Sequence, residues 1–148
     1  RIATAFESDS SGKAAIGHGY TYSGHPVAAA AALAAIAETR RLDVVTNAAA
    51  RGTQLYDGMV SLAGQYPVVG DVRGGHGLMT AMELVADRET KAPIDGKLAI
   101  KMQKAAYQAG ALIRVSGPNV ILSPSLVIEE ADIDTALNAV EEGLKTIS

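Results

Sequence analysis

Apolar residues recur at alternating spacings of three and four between residues 43 and 64. This spacing places them on one face of a helix of about six turns, because an α-helix repeats about every 3.6 residues. The stripe comprises Val45, Ala48, Gly52, Leu55, Met59 and Leu62. Asp43 precedes the stripe and is predicted to cap the helix. A helix with one apolar face has to bury that face against a second layer, so we expect a layered unit with a packed core.

The other segments alternate between helical and extended patterns. We predict helices over residues 26–40, 96–109 and from 129 onward, and strands over residues 68–73, 78–85, 111–115 and 120–122. The predicted inward-facing residues are Leu78, Thr80, Met82 and Leu84 in the second strand, Leu98, Met102, Ala105 and Ala109 in the third helix, and Ile133, Leu137, Val140 and Leu144 in the last. Gly110 is placed to end the third helix, and residues 116–119 are predicted to form a turn between the last two strands.

The predicted order is two helices, two strands, a helix, two strands and a helix, with short connections. Amphipathic helices joined in this way to short strands indicate a two-layer α+β unit, with a small, partly antiparallel sheet and helices on one face. Eight of the 13 residues in 28–40 are alanine, so the first helix has high intrinsic propensity and small side chains that permit close approach. We interpret it as a well-packed, buried helix.

The chain has 148 residues, a formal net charge of −3 and no cysteine. Its length suits one domain. The slight acidic excess argues against a surface for nucleic acid or an anionic membrane, so neither is expected as a partner. The lack of cysteine excludes disulfides and thiolate zinc sites, and it fits a cytoplasmic location. Because the first residue is Arg1 and the richest motif follows soon after it, we expect the chain to be part of a longer protein.

That motif is the segment HGYTYSGHP at residues 18–26, just before the alanine-rich helix. Its glycines allow the backbone to approach a ligand closely, and its hydroxyl and N–H groups can donate hydrogen bonds to an anion. The start of the helix would add positive potential. Tyr20 and Thr21 are therefore candidate phosphate-binding residues, with an ordinary turn before a helix as the alternative. His18 and His25 lack a third ligand nearby, so no metal site is expected.

Together with the VAAAAAL that follows it, this segment resembles the phosphate-contacting loop of class III (omega-amino acid) aminotransferases, which use pyridoxal 5'-phosphate (PLP). The letters TYSGHP are more similar to the omega-amino acid:pyruvate branch of that family. The resemblance implies that Thr21, beside Tyr20, contacts the cofactor phosphate and does so in the active site of a neighbouring subunit. It therefore also implies a homodimer or a larger homo-oligomer.

Arg114 follows the apolar run 111–113, where an unpaired guanidinium is costly. An ion pair with Glu83, or with another acid at the sheet edge, is one explanation. The segments GALIR and LSPSLVI, at residues 110–114 and 122–128, resemble the C-terminal signature of the same family. The resemblance implies that Arg114 binds the substrate carboxylate, a role that suits a planar guanidinium. Ser125 departs from the signature, which often has a second proline there.

The segment VRGGHGL at residues 72–78 resembles a further motif of the family. We interpret it as structural, with glycines that allow a bulge or a sharp kink. It lacks the glycine spacing and the following helix of a dinucleotide-binding fingerprint. The lysines all lie in predicted loops or on solvated helix faces. The resemblance implies that the lysine that binds the cofactor lies upstream of this chain, so we expect the chain to hold no catalytic residue and to be inactive alone.

The resemblance thus implies the small C-terminal domain of a fold-type-I PLP-dependent transferase. Residues 1–25 would be the tail of the large cofactor-binding domain, and residues 26–148 the interdomain helix and the small domain. The implied reaction of the whole protein moves an amino group from an amine or omega-amino acid to a keto acid such as pyruvate. Two alternatives stay open, a non-catalytic α+β interaction module and a PLP-dependent aminomutase or decarboxylase.

Overall fold

The computed structural model describes residues 2–13 and 17–148. Its internal contacts divide the chain into two compact units, Arg1–Glu38 and Thr39–Ser148. The first unit contains helix α1 (Ile2–Glu7), which was not predicted, and most of helix α2 (Pro26–Arg41). The second unit contains a four-stranded sheet and three further helices.

Helix α2 begins at Pro26 as predicted, but it is not the buried helix that its alanine content suggested. None of its residues is buried, and Leu33 and Ile36 keep 69% and 49% of their surface exposed. Alanine has the highest intrinsic helix propensity, because it loses no side-chain entropy on forming a helix. A run of alanines therefore favours a helix whether or not that helix is packed, and the prediction of burial was wrong.

The second unit has the predicted α+β class. Its elements are α3 (Val44–Gln65), β1 (Val69–Arg73), β2 (Thr80–Leu84), α4 (Gly96–Gln108), β3 (Arg114–Ser116), β4 (Asn119–Leu122) and α5 (Glu130–Lys145). The strands form one sheet in the order β1-β2-β4-β3, and every neighbouring pair is antiparallel. The sheet is thus antiparallel throughout, where the sequence predicted this only in part.

One face of the sheet packs against the helices. Helix α3 contacts β1 and β2, α4 contacts β3, and α5 packs on both α3 and α4. The predicted alternation along the second strand is confirmed, since its four predicted residues are buried: Leu78, Thr80, Met82 and Leu84. The fully buried core side chains also include Leu55, Met59, Met102, Val120, Ile133 and Leu144. The opposite face carries both charged and apolar residues, among them Arg73, Ala81 and Ile121, and is partly exposed.

The predicted stripe of α3 is buried from Gly52 to Leu62, but its first turn differs. Val44 is buried, whereas Val45 is exposed. Asp43 stands at the N-cap with a left-handed φ of 46°, and its side chain makes no capping bond to the backbone. Its carboxylate instead accepts a hydrogen bond from the Thr46 hydroxyl at 3.0 Å. The prediction of a side-chain cap is therefore wrong, because the left-handed backbone directs the carboxylate toward another partner.

The buried stripe of α4 agrees with the prediction at Met102 but differs from it at the other positions. Its buried members are Ala99, Met102 and Ala106, whereas Leu98 remains 36% exposed. The neighbouring α5 approaches closely, since a Cβ on Gly143 would lie 2.8 Å from the Met102 side chain. Such a short approach between helices favours alanine over leucine at the contact, which explains the difference.

The glycines of residues 74–77 form the reversal between β1 and β2 rather than a bulge within one strand. Gly74, Gly75 and Gly77 have φ values of 149°, 86° and 95°, a region that favours glycine. The irregularity in pairing lies instead between Val69 and Asp71 of β1. The motif is structural, as interpreted, but its glycines serve a loop and the bulge is elsewhere.

The ends of the later elements agree with the predictions. Gly110 follows α4 with a φ of 107°, and the Ala111 N–H donates to Ala106 O at 3.0 Å, as in a Schellman ending. Strands β3 and β4 pair Ser116 with Asn119 across a tight turn. In α5 the predicted Ile133, Val140 and Leu144 are buried, and Leu137 is half-buried against the same core.

Candidate functional site

The segment HGYTYSGHP forms a turn that holds Thr21 at its tip. The Ser23 N–H donates to Tyr20 O at 2.9 Å, and the Tyr20 N–H donates to Ser23 Oγ at 3.0 Å. These two reciprocal bonds close the turn around Thr21 and Tyr22. Thr21 is exposed, and its hydroxyl has no hydrogen-bond partner within residues 2–13 and 17–148. The local geometry thus presents Thr21 to solvent on a closed turn.

Tyr20 and Tyr22 are exposed as well, and each ring lies against a histidine. Tyr20 keeps 74% and Tyr22 78% of its surface exposed. The rings of His18 and Tyr20 meet edge to face with 5.2 Å between centroids. His18 therefore contacts a tyrosine, and no cluster of three His, Asp or Glu side chains in the described part of the chain is arranged to hold a metal ion.

His25 ends the loop and caps α2. Its N–H donates to Tyr22 O at 3.2 Å, and its Nδ1 accepts the Ala28 N–H at 3.3 Å. Pro26 has no N–H. Two donors that an open helix start would offer to an anion are therefore lacking here. The hydroxyl-bearing turn, rather than the end of the helix, is the better source of hydrogen bonds to a phosphate.

Arg114 begins β3 in the second unit, on the exposed side of the sheet. It lines a cavity of about 250 Å³ whose other walls include Ile113, Ser123 and Pro124. Within residues 2–13 and 17–148 its guanidinium makes no ion pair or hydrogen bond. An exposed guanidinium without a partner, next to a cavity, is suited to binding a carboxylate in two parallel hydrogen bonds.

The ion pair between Arg114 and Glu83, which the sequence left open, does not form. Glu83 pairs with Arg73 instead, at 2.7 Å, and the same guanidinium also pairs with Asp71 at 3.0 Å and donates to Asn119 Oδ1 at 2.5 Å. Hydrogen bonds to Glu83 and then to Asp71 raise the pKa of the Arg73 guanidinium above its ordinary value. Sequence reasoning missed this cluster because its members come from three strands, one of which, with Asn119, is distant in the chain.

Asn47 is a second residue that the sequence did not single out. Its side-chain amide donates to the carbonyls of Leu126 and Ile128 at 2.9 and 3.0 Å. It thereby fastens α3 to the segment that follows β4 and contains Ser125, the position that departs from the family signature. An isolated asparagine in a helical pattern carries no sequence signal for such a contact.

The described helices also bear on the kind of site. No helix within residues 2–13 and 17–148 is long and apolar enough to cross a bilayer. Thr21 and Tyr20 belong to the first unit and Arg114 belongs to the second. The sequence-predicted residues thus fall into two groups, a hydroxyl-bearing turn and an unpaired guanidinium beside a cavity.

Comparison with known proteins identifies the class that this fold and these residues represent. Residues 1–144 match the family described as Aminotransferase class-III. The chain therefore belongs to the class-III aminotransferase family, and the resemblance found in its motifs is confirmed.

Individual relatives are similar over most of this chain. A taurine–pyruvate aminotransferase from Bilophila wadsworthia is 37% identical in an alignment of 134 residues that covers 86% of this chain and 29% of the relative. A leucine/methionine racemase from Thermococcus litoralis is 35% identical over 133 residues, which are 89% of this chain and 30% of the relative. The chain thus spans about three tenths of the length of these relatives.

A solved structure of an amine transaminase from an uncultivated Pseudomonas species, in a PLP-bound form, matches with a TM-score of 0.86. It is 39% identical, and the match covers 99% of this chain and 33% of that one. The similarity in fold extends over nearly the whole chain, and it agrees with the α+β class predicted for the small domain of a PLP-dependent transferase.

Proposed function

We propose that this chain forms the carboxyl-terminal part of a PLP-dependent aminotransferase that moves an amino group from an amine or omega-amino acid to a keto acid such as pyruvate. The observation that carries the proposal is Arg114, an exposed guanidinium beside a cavity with no acidic partner in the described chain. Family membership and the similarity to a pyruvate-dependent relative support it. In this proposal residues 1–25 belong to the large domain, and residues 26–148 comprise the interdomain helix and the small domain.

The residues at the tip of the first turn fit a phosphate group. Thr21 carries an exposed hydroxyl that donates to no other group in the described chain, and the neighbouring Tyr20 is exposed as well. In the proposed site the Thr21 hydroxyl donates to a phosphate oxygen of PLP, and Tyr20 lies beside it. When bound, PLP would supply the electrophilic carbon and the electron sink that amino transfer requires.

Arg114 has a separate proposed task, in binding the substrate. Its guanidinium would bind the carboxylate of an omega-amino acid or of pyruvate and thereby orient the reacting end of the substrate. An amine without a carboxylate would make no such contact. The proposed lysine that binds the cofactor lies outside this chain. In this proposal the chain therefore binds and orients the substrate, and that lysine carries out the proton transfers. We further propose a homo-oligomeric, cytoplasmic enzyme, in line with the motif and with the lack of cysteine.

Substitution of Arg114 in the full-length enzyme tests the proposal. For Arg114→Gln we expect kcat/KM with β-alanine to fall about 30-fold or more, since a charged hydrogen-bonded pair is worth about 2 kcal/mol or more. With 1-phenylethylamine, in the half-reaction without keto acid, the rate should change by less than about twofold. Arg114→Lys keeps the charge but not the planar fork, so its kcat/KM with β-alanine should lie between those of Arg114→Gln and the starting enzyme. Equal losses with both donors would indicate a packing role and contradict the proposal.

A second candidate is isomerase chemistry on the same scaffold, which the similarity to a racemase favours. The two candidates differ in their need for an acceptor. An aminotransferase completes repeated turnovers only when a keto acid is supplied, whereas a racemase interconverts the two enantiomers of one amino acid without it. Chiral chromatography of leucine incubated with the PLP-loaded enzyme, in the absence of keto acid, distinguishes them. If the enzyme neither racemises leucine nor transfers an amino group to a keto acid, the result would favour the non-catalytic interaction module.

A further inference from the structure

Two arginines lie at opposite ends of one row across the exposed face of the sheet. The strand register pairs Arg73 with Ala81, Ala81 with Ile121, and Ile121 with Arg114. Directly paired residues of antiparallel strands project from the same face, so both guanidinium groups belong to the face opposite the helices. Three inter-strand spacings separate their backbones, roughly 14 Å. The two arginines therefore share one polar surface.

The carboxylates of this surface are gathered at one end of it. Glu83 lies two residues beyond Ala81 on the same strand, hence on the same face, and the register pairs it with Asp71. Both acids pair with Arg73, at 2.7 and 3.0 Å. Asn119 is paired with Glu83 in the register, and its Oδ1 accepts a hydrogen bond from the second amino group of the same arginine. One guanidinium thus holds both acids and is fixed by three strands.

The other end of the surface has the opposite character. Arg114 has no acid within ion-pair distance anywhere in the described ranges, although Glu83 lies only two strands away on the same face. Both side chains are long enough to approach each other across that distance. In the structure Glu83 pairs with Arg73 instead.

We propose that Arg73 is a positioning residue that holds Glu83 and Asp71 at the far end of the sheet and so keeps Arg114 free for the substrate carboxylate. The proposal rests on the proposed function, because it takes the role of Arg114 from there. Its basis is the geometry of one sheet face, where Arg73 pairs with both acids while Arg114 has no acidic partner among the described residues.

The charge balance of the face explains why Arg73 should matter for substrate binding. Without Arg73, the carboxylates of Glu83 and Asp71 would lose their ion-pair partner on the same face as Arg114, which is proposed to bind the substrate carboxylate. They would repel the substrate carboxylate and compete with it for Arg114. At separations of about 10 to 14 Å such interactions are weak in water but stronger beside a protein surface, and they are screened by salt. We therefore expect an effect of about threefold to tenfold on KM at low ionic strength.

Charge-matched variants of the full-length, PLP-loaded enzyme test this inference. For Arg73→Gln, KM for β-alanine should rise about threefold to tenfold at low salt and by less at high salt, while KM for 1-phenylethylamine stays within about twofold. Adding Glu83→Gln to Arg73→Gln should restore most of the lost affinity. Arg73→Lys keeps the charge and should stay close to the starting enzyme. Lys97→Gln, at the exposed start of α4, makes the same change in net charge away from this face and should leave both KM values unchanged.

The outcomes separate this inference from the proposed function. Suppose that Arg114→Gln distinguishes the two donors. If Arg73→Gln then raises both KM values equally, or if the added Glu83→Gln restores no affinity for β-alanine, Arg73 has only a structural role. In that case this inference fails and the proposed function stands. An equal effect of Lys97→Gln would point to net charge rather than to Arg73, and would also overturn it. If Arg114→Gln itself fails to distinguish the donors, the proposed function and this inference fall together.

Discussion

Thr21 lies at the tip of a turn whose closing bonds are made by its neighbours. Because Tyr20 and Ser23 satisfy each other, a change at Thr21 should leave the turn intact. For Thr21→Ala in the full-length enzyme we therefore expect the binding free energy of PLP to weaken by about 1.5–3 kcal/mol, the usual value of a hydrogen bond to a charged group.

Equilibrium dialysis with absorbance detection of PLP measures this change. Thr21→Ser keeps the hydroxyl and serves as the matched control, with an affinity close to that of the starting protein. Unchanged affinity in the alanine variant would remove Thr21 from the phosphate site.

Thr80 is a buried residue whose hydroxyl has no partner among the described residues. Such a group loses its bonds to water on folding without replacing them. Valine has nearly the same shape and no hydroxyl, so Thr80→Val should raise the free energy of unfolding by about 1 kcal/mol.

Urea denaturation of the chain gives the change in unfolding free energy. Thr80→Ser keeps the hydroxyl and loses the methyl group, so it should lower stability instead. A loss of stability in Thr80→Val would mean that the hydroxyl binds an ordered water molecule in solution.

At the scale of elements, α3 approaches the loop between β1 and β2 more closely than a side chain allows. A Cβ on Gly52 would lie 2.3 Å from the Gly77 carbonyl oxygen, whereas nothing lies within 4 Å of a Cβ on Gly64 in the same helix. Gly52→Ala should therefore lower stability by about 1–3 kcal/mol through overpacking. Gly64→Ala should raise it slightly, by about 0.5 kcal/mol, through helix propensity.

The same denaturation experiment compares the two variants. Both add one methyl group to one helix, so propensity alone predicts that both stabilise. If the free energy of unfolding falls in Gly52→Ala and rises in Gly64→Ala, the result supports close contact between α3 and the loop. Changes of the same sign in both variants would contradict it.

The elements also illustrate what a sequence pattern can and cannot predict. The ends of the four longer helices and the strands were predicted to within one or two residues, except that β3 begins later and β2 is shorter. The prediction succeeds because periodicity, Pro26 and Gly110 each act on the few residues of chain next to them. On the buried face of α4, Met102 was predicted correctly, but Leu98 was predicted in place of Ala99, since the two fit a helical stripe almost equally well. Only the close approach of α5 distinguishes them, and that approach involves residues about 40 positions away, such as Gly143.

At the scale of the whole molecule, the apolar core lies within the second unit. Its buried cluster begins at Leu55 and ends at Leu144, while none of the residues of α2 is buried. Deleting residues 1–38 should therefore leave the urea midpoint of the sheet-containing unit unchanged and its unfolding cooperative.

Circular dichroism along a urea titration of residues 39–148 measures the midpoint and slope. The full chain is the reference, with the slope reporting the surface exposed on unfolding. A lower midpoint or a broad, uncooperative transition would mean that the first unit contributes to folding of the second.

The sequence by itself determined the class of fold, the positions of the main elements and the family, because local periodicity and long motifs are written in neighbouring residues. It also singled out Thr21 and Arg114, whose roles remain proposals. The tertiary structure decided which acid pairs with which arginine, since Arg73, Glu83 and Asn119 meet only when three strands align. It likewise decided that α2 is exposed. Both results depend on which surfaces meet in the folded chain, and the local sequence pattern of one segment does not specify its contacts with distant segments.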